Sequence, residues 1–301
     1  MDRSQLRGLQ AAVAAYTLWG LLTLYWKQLA GLDAFELIGW RVSTAGLVMA
    51  LIVTLLRRWP TVVGSLRDRA LLIRITLASV LLTVNWTTYV WAVVGDRVIE
   101  TALGYFLAPL GTMALGVFAL GERLTPLKRA SIAFAALAVV VLTVSYGRMP
   151  WVALILATTW SWYGLTKRRV PLDPIESLTS ELLVLFVPAV ALVGLGWLRA
   201  HGIPTEAAGV DWLLLVGTGA ITALPLLLFA YAAQRVPFTV LGPANYLVPI
   251  INFLLGWLVF GEPLPPSRVV GFGLVWIALA LVTIDTVRRR TPAERSATTV
   301  R

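Results

Sequence analysis

The fold is decided by the stretch GYFLAPLGTMALGVFALGERL (residues 104–124), because the chain carries a second copy, ANYLVPIINFLLGWLVFGEPL (residues 244–264). Each copy is an apolar run of about 20 residues, which is long enough to cross a bilayer core as an α-helix. Each also has an internal proline, Pro109 or Pro249, and closes on a Gly-Glu pair. Membrane bundles tolerate such prolines because neighbouring groups re-satisfy the freed carbonyl. We therefore predict two duplicated membrane-spanning helices.

The duplication extends well beyond these two helices at the same constant offset. Polar residues that match across it are Lys27 with Lys167, Asp33 with Asp173, and Glu36 with Glu176. Ordered polar matches are not expected from a shared apolar composition alone, so the chain reads as an internal repeat. The first repeat covers residues 1–146 and the second covers residues 147–287, leaving a basic tail at 288–301.

Composition places the chain among integral membrane proteins. Hydrophobic residues make up 58% of the 301 residues and charged residues only 13%, with a mean hydropathy of +0.82. A soluble domain carries about 25% charged residues. The net charge of +10 could suggest nucleic acid, but the basic residues lie in short loops between apolar spans. We therefore expect the chain to interact with the lipid bilayer and not with nucleic acid.

The residues that support catalysis or metal binding are scarce. The chain has no cysteine and one histidine, His201, which lies in a polar loop flanked by Gly and Pro. This excludes disulfides and thiolate metal sites, and the sequence contains no phosphate-binding GxxxxGK[ST] motif for ATP. We expect no cofactor, no metal ion and no enzymatic activity.

Hydropathy predicts an all-α protein with ten transmembrane helices. The N-terminal segment is basic and lacks a cleavage-site pattern, so we interpret helix 1 as retained. The segment between helices 2 and 3 is predicted to be a basic loop, and the tail after helix 10 to be disordered. The ten predicted helices cover residues 9–29, 36–56, 71–94, 104–124, 126–146, 150–167, 176–198, 212–233, 239–260 and 267–287.

Lysine and arginine residues alternate strongly between the two sides of these spans, and most of them lie on the side that holds both termini. Basic loops face the cytoplasm, so both termini are predicted to be cytoplasmic. Five spans per repeat is an odd number, and the second repeat must therefore be inverted relative to the first. Inverted repeats are typical of secondary transporters that alternate access around a site at the midplane.

Six predicted helices, three from each repeat, present one aromatic or polar face that would be wasted against lipid. These faces predict a shared substrate cavity. An alternative interpretation is that the asparagines form hydrogen bonds between helices. Lys27, Lys167 and Glu181 are candidate gating or coupling residues, with snorkelling to the interface as the alternative for the lysines. Pro109, Pro225 and Pro249 are candidate helix breaks. The candidate cavity residues are Trp19, Thr23, Arg41, Asn85, Trp86, Tyr89, Trp91, Tyr105, Thr112, Tyr163, Asn245, Tyr246 and Asn252.

Arg41 is the one basic residue well inside a predicted span, and its repeat partner is Glu181. Placing arginine deep in a bilayer costs about 2.5–3.5 kcal/mol on insertion scales. Either Arg41 snorkels to the surface, or its guanidinium faces inward and holds a carboxylate through two parallel hydrogen bonds. Our hypothesis is that Arg41 binds an anionic part of the substrate or gates the outer side, while Glu181 has a gating or proton-linked role inside.

These residues resemble a known family. The duplicated five-helix unit, Trp19-Gly20, Asn85-Trp86 and the LGYF…P…GE stretch are similar to the EamA family of the drug/metabolite transporter superfamily. Within it, Arg41, Asn85-Trp86, Trp91 and residues 103–106 resemble the RarD group, which is associated by name with chloramphenicol sensitivity. The resemblance covers residues 9–287 and implies a multi-pass carrier of the bacterial inner membrane, usually an exporter. It departs from the small multidrug members, which use a buried glutamate in helix 1 that this chain lacks.

We therefore predict a secondary active transporter of small metabolites, such as amino acids or drug-like compounds. A non-transporting membrane receptor or scaffold is the alternative that the sequence leaves open. We expect a small molecule as the substrate. The sequence also leaves open that two copies of the chain form a homodimer.

Overall fold

The computed structural model describes residues 3–120, 125–233, 235–236 and 244–298. Across these ranges the chain is helical and contains no β-strand. A π-helical turn covers Leu255–Val259. The helices are α1 (Arg3–Gln28), α2 (Ala34–Leu55), α3 (Trp59–Arg67), α4 (Arg69–Val94), α5 (Val98–Leu120), α6 (Pro126–Tyr146), α7 (Trp151–Lys167), α8 (Pro174–Trp197), α9 (Ile203–Glu206), α10 (Gly209–Ala233), α11 (Leu247–Leu254) and α12 (Pro266–Thr298).

Several helices begin at residues that can cap free backbone amides. The side chain of Asp33 accepts a hydrogen bond from the Glu36 amide at 2.8 Å at the start of α2. Asp68 does the same for α4, and Thr125 accepts from the Lys128 amide at 3.1 Å to start α6. The first turn of a helix leaves four amides without intrahelical partners, and such oxygen atoms satisfy them.

The repeat-equivalent helices run antiparallel, which is direct evidence for inversion. The end of α6 meets the start of α12 through a hydrogen bond of 2.7 Å between Ser145 and Ser267. The first turn of α2 lies against the end of α8, where a Cβ on Gly196 would collide with Glu36. Because α2 corresponds to α8 and α6 to α12, opposite directions within each pair make the second repeat the inverted copy of the first.

The two repeats share one core. The main helix contacts are α6 with α12, α5 with α7, α2 with α8, α1 with α10, α2 with α10, and α4 with α7. All six join a helix of the first repeat to a helix of the second. Exchanging each helix for its repeat counterpart reproduces the pattern, since α1 with α10 becomes α7 with α4. The duplicated halves are therefore two interlocked sequence repeats, and the interface between them is the centre of the molecule.

Among the described residues, seven helices are long and apolar enough to cross a membrane by length and composition: α2, α4, α5, α6, α8, α10 and α12. The other three predicted spans correspond to α1, α7 and α11. The helix α7 has 17 residues, and the apolar helix over Leu247–Val259 is shorter still. Each of these three helices carries at least one predicted cavity residue: Thr23 in α1, Tyr163 in α7 and Asn252 in α11.

The helix boundaries differ from the sequence predictions in three places. The prediction of a basic loop after α2 is wrong, because Trp59–Arg67 forms the short helix α3. Pro60 lies in its first turn, where proline is well accommodated. The disordered tail is also wrong, because α12 continues to Thr298. The fourth predicted span begins earlier, at Val98. The beginning of the ninth, residues 239–243, lies outside the described residues.

Candidate functional site

The centre of the bundle contains a hydrogen-bonded cluster built from both repeats. The Thr23 hydroxyl of α1 lies 2.7 Å from the Tyr89 hydroxyl of α4 and donates to Asn252 Oδ1 of α11 at 2.8 Å. All three side chains are buried, with exposed fractions of 0%, 6% and 0%. The amide nitrogen of Asn252 has no hydrogen-bond partner. The helices α1, α4 and α11 therefore meet at this hydrogen-bonded cluster, and the amide nitrogen of Asn252 remains available as a donor.

A second polar junction lies next to the first and also joins the repeats. Asn85 Nδ2 on α4 donates to the Leu156 carbonyl at 3.1 Å and to Thr159 Oγ1 at 2.9 Å, both on α7. The Tyr105 hydroxyl of α5 donates to Asn85 Oδ1 at 3.2 Å. This asparagine therefore acts as the helix–helix contact that was its structural alternative, and it also orients Tyr105 beside Tyr89, with 5.9 Å between ring centroids.

Arg41 faces the interior of the bundle. Its side chain is 4% exposed, and its Cζ lies 4.0 Å from the Trp86 ring centroid and 5.1 Å from that of Trp26. Tyr89 follows Trp86 by three positions on the same face of α4, and its ring centroid lies 5.9 Å from that of Tyr105. Guanidinium stacking on aromatic rings is favourable, most of all where water is excluded. Snorkelling to the surface is therefore not the geometry that Arg41 adopts.

A row of aromatic rings connects this centre to a charged group on the other side. Tyr105 lies 6.2 Å from Trp160, and Trp160 lies 5.7 Å from Tyr163 between ring centroids. The Tyr163 hydroxyl donates to Glu181 Oε2 at 3.0 Å. The rings come from α5 and α7, and Glu181 comes from α8. A displacement of any of these helices would therefore change the contacts between Glu181 and the central cluster.

Glu181 is held in a buried ion pair. Its side chain is fully buried, and its Oε1 lies 2.5 Å from Lys167 Nζ. Ser177 donates to the same oxygen at 3.2 Å and accepts a hydrogen bond from Lys167. Arg41 and Glu181 are thus not partners, although they occupy equivalent positions in the two repeats.

The repeat-equivalent lysine, Lys27, makes a comparable contact at the opposite end of the bundle. It pairs with Asp96 between α4 and α5, and its Nζ lies 5.2 Å from the Phe260 ring centroid. Next to it, Glu262 accepts hydrogen bonds from the Val98 amide at 2.5 Å and the Ile99 amide at 3.0 Å, which caps α5. Each end of the bundle therefore has one lysine that ties helices of the centre together.

The electrostatics of this Lys27 end are shaped by burial and by close pairing. Burial raises the pKa of Glu262 above its usual value of 4.5, against the opposing effect of the two amides of α5. A hydrogen bond of 2.8 Å from Arg148 to Glu100 raises the pKa of Arg148. Both pKa values are therefore raised at this end of the bundle, that of Glu262 by burial and that of Arg148 by its hydrogen bond to Glu100.

A cavity of about 220 Å³ lies between α5 and α7, towards the Lys167 end. Pro109 and Thr112 of α5 line it together with Ser161 and Arg168. Ser161 donates to the Ala108 carbonyl at 3.0 Å. This is near the carbonyls that a mid-helix proline leaves without an intrahelical partner. Pro109 therefore lies on the face of α5 that lines this cavity.

Other predicted site residues lie away from the central cluster. Trp19 packs on Tyr16 and Phe229 at ring distances of 5.5 and 5.9 Å. Trp91 is 42% exposed, beneath Arg97. Tyr246 packs against the apolar core of α5, α6 and α12. Three further residues keep only a general placement: Asn245 half-buried before α11, Pro225 inside α10 and Pro249 buried in α11.

The sequence interpretation missed Trp26, Asp96 and Ser177. Trp26 lies one heptad after Trp19 and could have been found by extending that helical stripe. Asp96 and Ser177 are short polar residues near helix ends, which have no periodic signal of their own. His201 is in the predicted polar loop, with its side chain 92% exposed.

The arrangement can bind and orient a small molecule through hydroxyl, amide and guanidinium groups. Within the described ranges no group of three or more His, Cys, Asp or Glu side chains could hold a metal ion. The central cluster of Thr23, Tyr89 and Asn252 contains no carboxylate that would act as a general base. Its hydroxyl and amide groups can donate and accept hydrogen bonds.

Comparison with known proteins agrees with this architecture. Residues 6–144 and 148–284 each match the EamA-like transporter family. The chain is 42% identical to protein RarD of Streptomyces exfoliatus over 95% of this chain and 91% of that protein. It is 35% identical to the uncharacterized transporter YojE of Bacillus subtilis, over 94% and 95% of the two chains. A chain in a solved crystal structure shares the fold, with a TM-score of 0.59 and 21% identity over 92% of this chain and 97% of that one. The resemblance seen in the sequence is confirmed: this chain belongs to the EamA-like transporter family and is a multi-pass membrane transporter.

Proposed function

We propose that the protein is a secondary active exporter of small metabolites, such as amino acids or drug-like compounds, in the bacterial inner membrane. Both termini face the cytoplasm, as the distribution of basic residues favours. Transport proceeds by alternating access, in which the two inverted repeats rock around a central site.

The central polar cluster is the observation that carries this proposal. Thr23 and Tyr89 come from the first repeat and Asn252 from the second, and all three are buried where the repeats meet. Buried polar side chains in a membrane protein are expensive and mark substrate or ion pathways. A rocking motion of the repeats would take this cluster apart and rebuild it, which changes access to the substrate at each half-cycle.

The two repeat-equivalent lysines are suited to act as the two gates. Lys27 pairs with Asp96 at the outer end, and Lys167 pairs with Glu181 at the inner end. Both pairs are formed in the structure. Alternating access requires one pair to break while the other holds. Asp96 is exposed, so the Lys27 pair can exchange for water at modest cost, whereas the buried Lys167–Glu181 pair breaks at low cost only when water or substrate reaches it.

Solute counterflow in proteoliposomes tests the function. The protein is reconstituted with a trapped panel of unlabelled amino acids, chloramphenicol and other small metabolites, and uptake of each labelled compound is followed. A carrier accelerates uptake of its own substrate when that substrate is trapped inside. A receptor or scaffold binds without such uptake, so saturable binding with no counterflow for any compound would favour that alternative.

A further inference from the structure

We infer that the substrate bears a carboxylate, and that Arg41 of α2 holds this group together with the free amide of Asn252 of α11. The inference rests on the proposed transport function and specifies the substrate class of the same central site. A carboxylate is the smallest organic group that supplies several acceptor oxygens and a negative charge, which are the two things this interior lacks.

The first argument is that buried donors are left over around Arg41. Arg41 Nε and Nη1, Asn252 Nδ2 and Trp26 Nε1 are buried atoms with no hydrogen-bond partner. Buried polar groups in proteins are nearly always paired, and each exception calls for an explanation. Because all four atoms are donors, the missing partner must be an acceptor.

The second argument concerns charge. No acidic side chain of the described residues forms an ion pair with Arg41, and the rings of Trp86 and Trp26 lie against its charge instead. Aromatic faces offset part of the cost of burying a cation, but they accept no hydrogen bonds from its edge. A bidentate carboxylate satisfies both the charge and the fork of the guanidinium.

The third argument is the position of the donors between the repeats. Asn252 is linked through Thr23 to Tyr89. Trp86, whose ring centroid lies 4.0 Å from Arg41 Cζ, is three positions before Tyr89 on α4 and therefore shares its face. The donors therefore belong to one cluster with contributions from α2 and α11, which are in different repeats. A carboxylate bound across this boundary would stabilise one arrangement of the repeats over the other, which is what couples binding to a change of access.

The inference also accounts for the difference between Arg41 and its repeat counterpart. Glu181 has its cation, Lys167, at 2.5 Å. The lysine equivalent to Lys167 is Lys27, which pairs with Asp96 and cannot neutralise an arginine. Duplication has therefore produced one internally compensated charge and one that is left for a ligand.

Binding is tested with purified full-length protein and a panel of small carboxylic acids, each matched with its primary amide. The panel contains aliphatic, aromatic and amino acids. The readouts are the ligand-induced rise in the unfolding midpoint and the quenching of tryptophan fluorescence. We expect at least one acid, and not its amide, to stabilise the protein. Arg41→Lys should weaken that acid about ten- to a hundredfold, the value of a lost hydrogen bond to a charged group.

Two further variants separate binding from folding. Arg41→Met removes the unpaired charge and should abolish the preference for the acid over the amide. Arg67→Met is the control, because Arg67 is an exposed residue of α3 and should leave binding unchanged. If Arg41→Met does not fold, Arg41→Lys alone decides, since it keeps the charge and loses the fork.

The outcomes distinguish this inference from the transport function. Equal stabilisation by an acid and its amide, or full acid binding by Arg41→Lys and Arg41→Met, would overturn the carboxylate assignment. If counterflow is then seen with neutral compounds, the protein is still a carrier and only the substrate class is wrong. If acids bind through Arg41 but no compound gives counterflow, the site stands and the transport function fails.

Discussion

Replacing Gly219 by alanine tests the contact between the repeats most sharply. Gly219 lies on α10, and a Cβ there would be 2.4 Å from the backbone carbonyl carbon of Thr44 on α2 and 2.5 Å from its oxygen. Carbon contacts are favourable at about 3.5–4.0 Å, so the two helices must separate by about 1 Å. The neighbouring hydrogen bond of 2.8 Å between Thr44 and Thr218 would lengthen by a similar amount.

The magnitude follows from two opposing effects. Overpacking costs about 1–3 kcal/mol, and the upper end applies because the obstructing atoms are backbone. Alanine recovers about 1 kcal/mol of helix propensity relative to glycine. We expect Gly219→Ala to be destabilised by about 2 kcal/mol, or about 30-fold in the unfolding equilibrium.

The assay is equilibrium or thermal unfolding in detergent, followed by tryptophan fluorescence. Gly273→Ala on α12 is the matched control, because nothing lies within 4 Å of its Cβ position. The control should be as stable as the parent protein or slightly more stable. Equal stability of the two variants would refute the close approach of α2 and α10, and with it the interlocked packing of the repeats.

Three other predictions concern pH, topology and exposure. Because burial raises the pKa of Glu262, the folded state binds its proton more tightly; the resulting stability is present below about pH 4.5 and is lost as the pH rises through the raised value. Glu262→Gln should flatten this dependence in unfolding measurements, and an unchanged pH profile would assign it to another group. Reporters fused after Arg168 should be cytoplasmic and those after Arg97 external; a reversal of either would contradict the orientation. In this cysteine-free chain, a cysteine at Thr112 should react with small polar reagents because Thr112 lines the cavity; one at Leu107, which is 5% exposed, should not, and the reverse pattern would exclude that face of α5.

The fold was predictable because the length of the apolar segments and the internal repeat can both be read from the sequence. Apolar length predicts the spans, and an odd number of spans per repeat makes inversion a geometric necessity. The short helix α3 escaped prediction because its nine residues have too little apolar character to stand out beside the arginines around it. The helical continuation of α12 was not predicted, because its arginine-rich end has the composition of a solvated tail.

The candidate site was predictable only in part. Thr23, Tyr89, Tyr105, Asn85 and Asn252 could be found because helical periodicity places polar residues on one face. The partner of each residue could not be found, because a contact between α1 and α11 depends on how the helices cross.

Periodicity also cannot separate two faces of the same bundle. Trp91 and Tyr246 have the same character as Trp86 and Tyr105, yet Trp91 lies beneath Arg97 and Tyr246 packs in the apolar core. The pairing of Glu181 with Lys167 rather than Arg41 likewise follows from tertiary position. Inversion places the two equivalent residues towards opposite ends of the bundle.

The central claim is that access alternates between the Lys27 end and the Lys167 end. Cysteine pairs replacing Lys27 and Asp96, or Lys167 and Glu181, can each be bridged by a short reducible bis-thiol cross-linker in proteoliposomes. Counterflow of the identified substrate is then compared with the uncross-linked double variant, before and after addition of reductant. We predict that a bridge at either end alone stops counterflow and that reduction restores it to the level of the uncross-linked variant. Undiminished counterflow with either end fully bridged would contradict alternating access through these two gates.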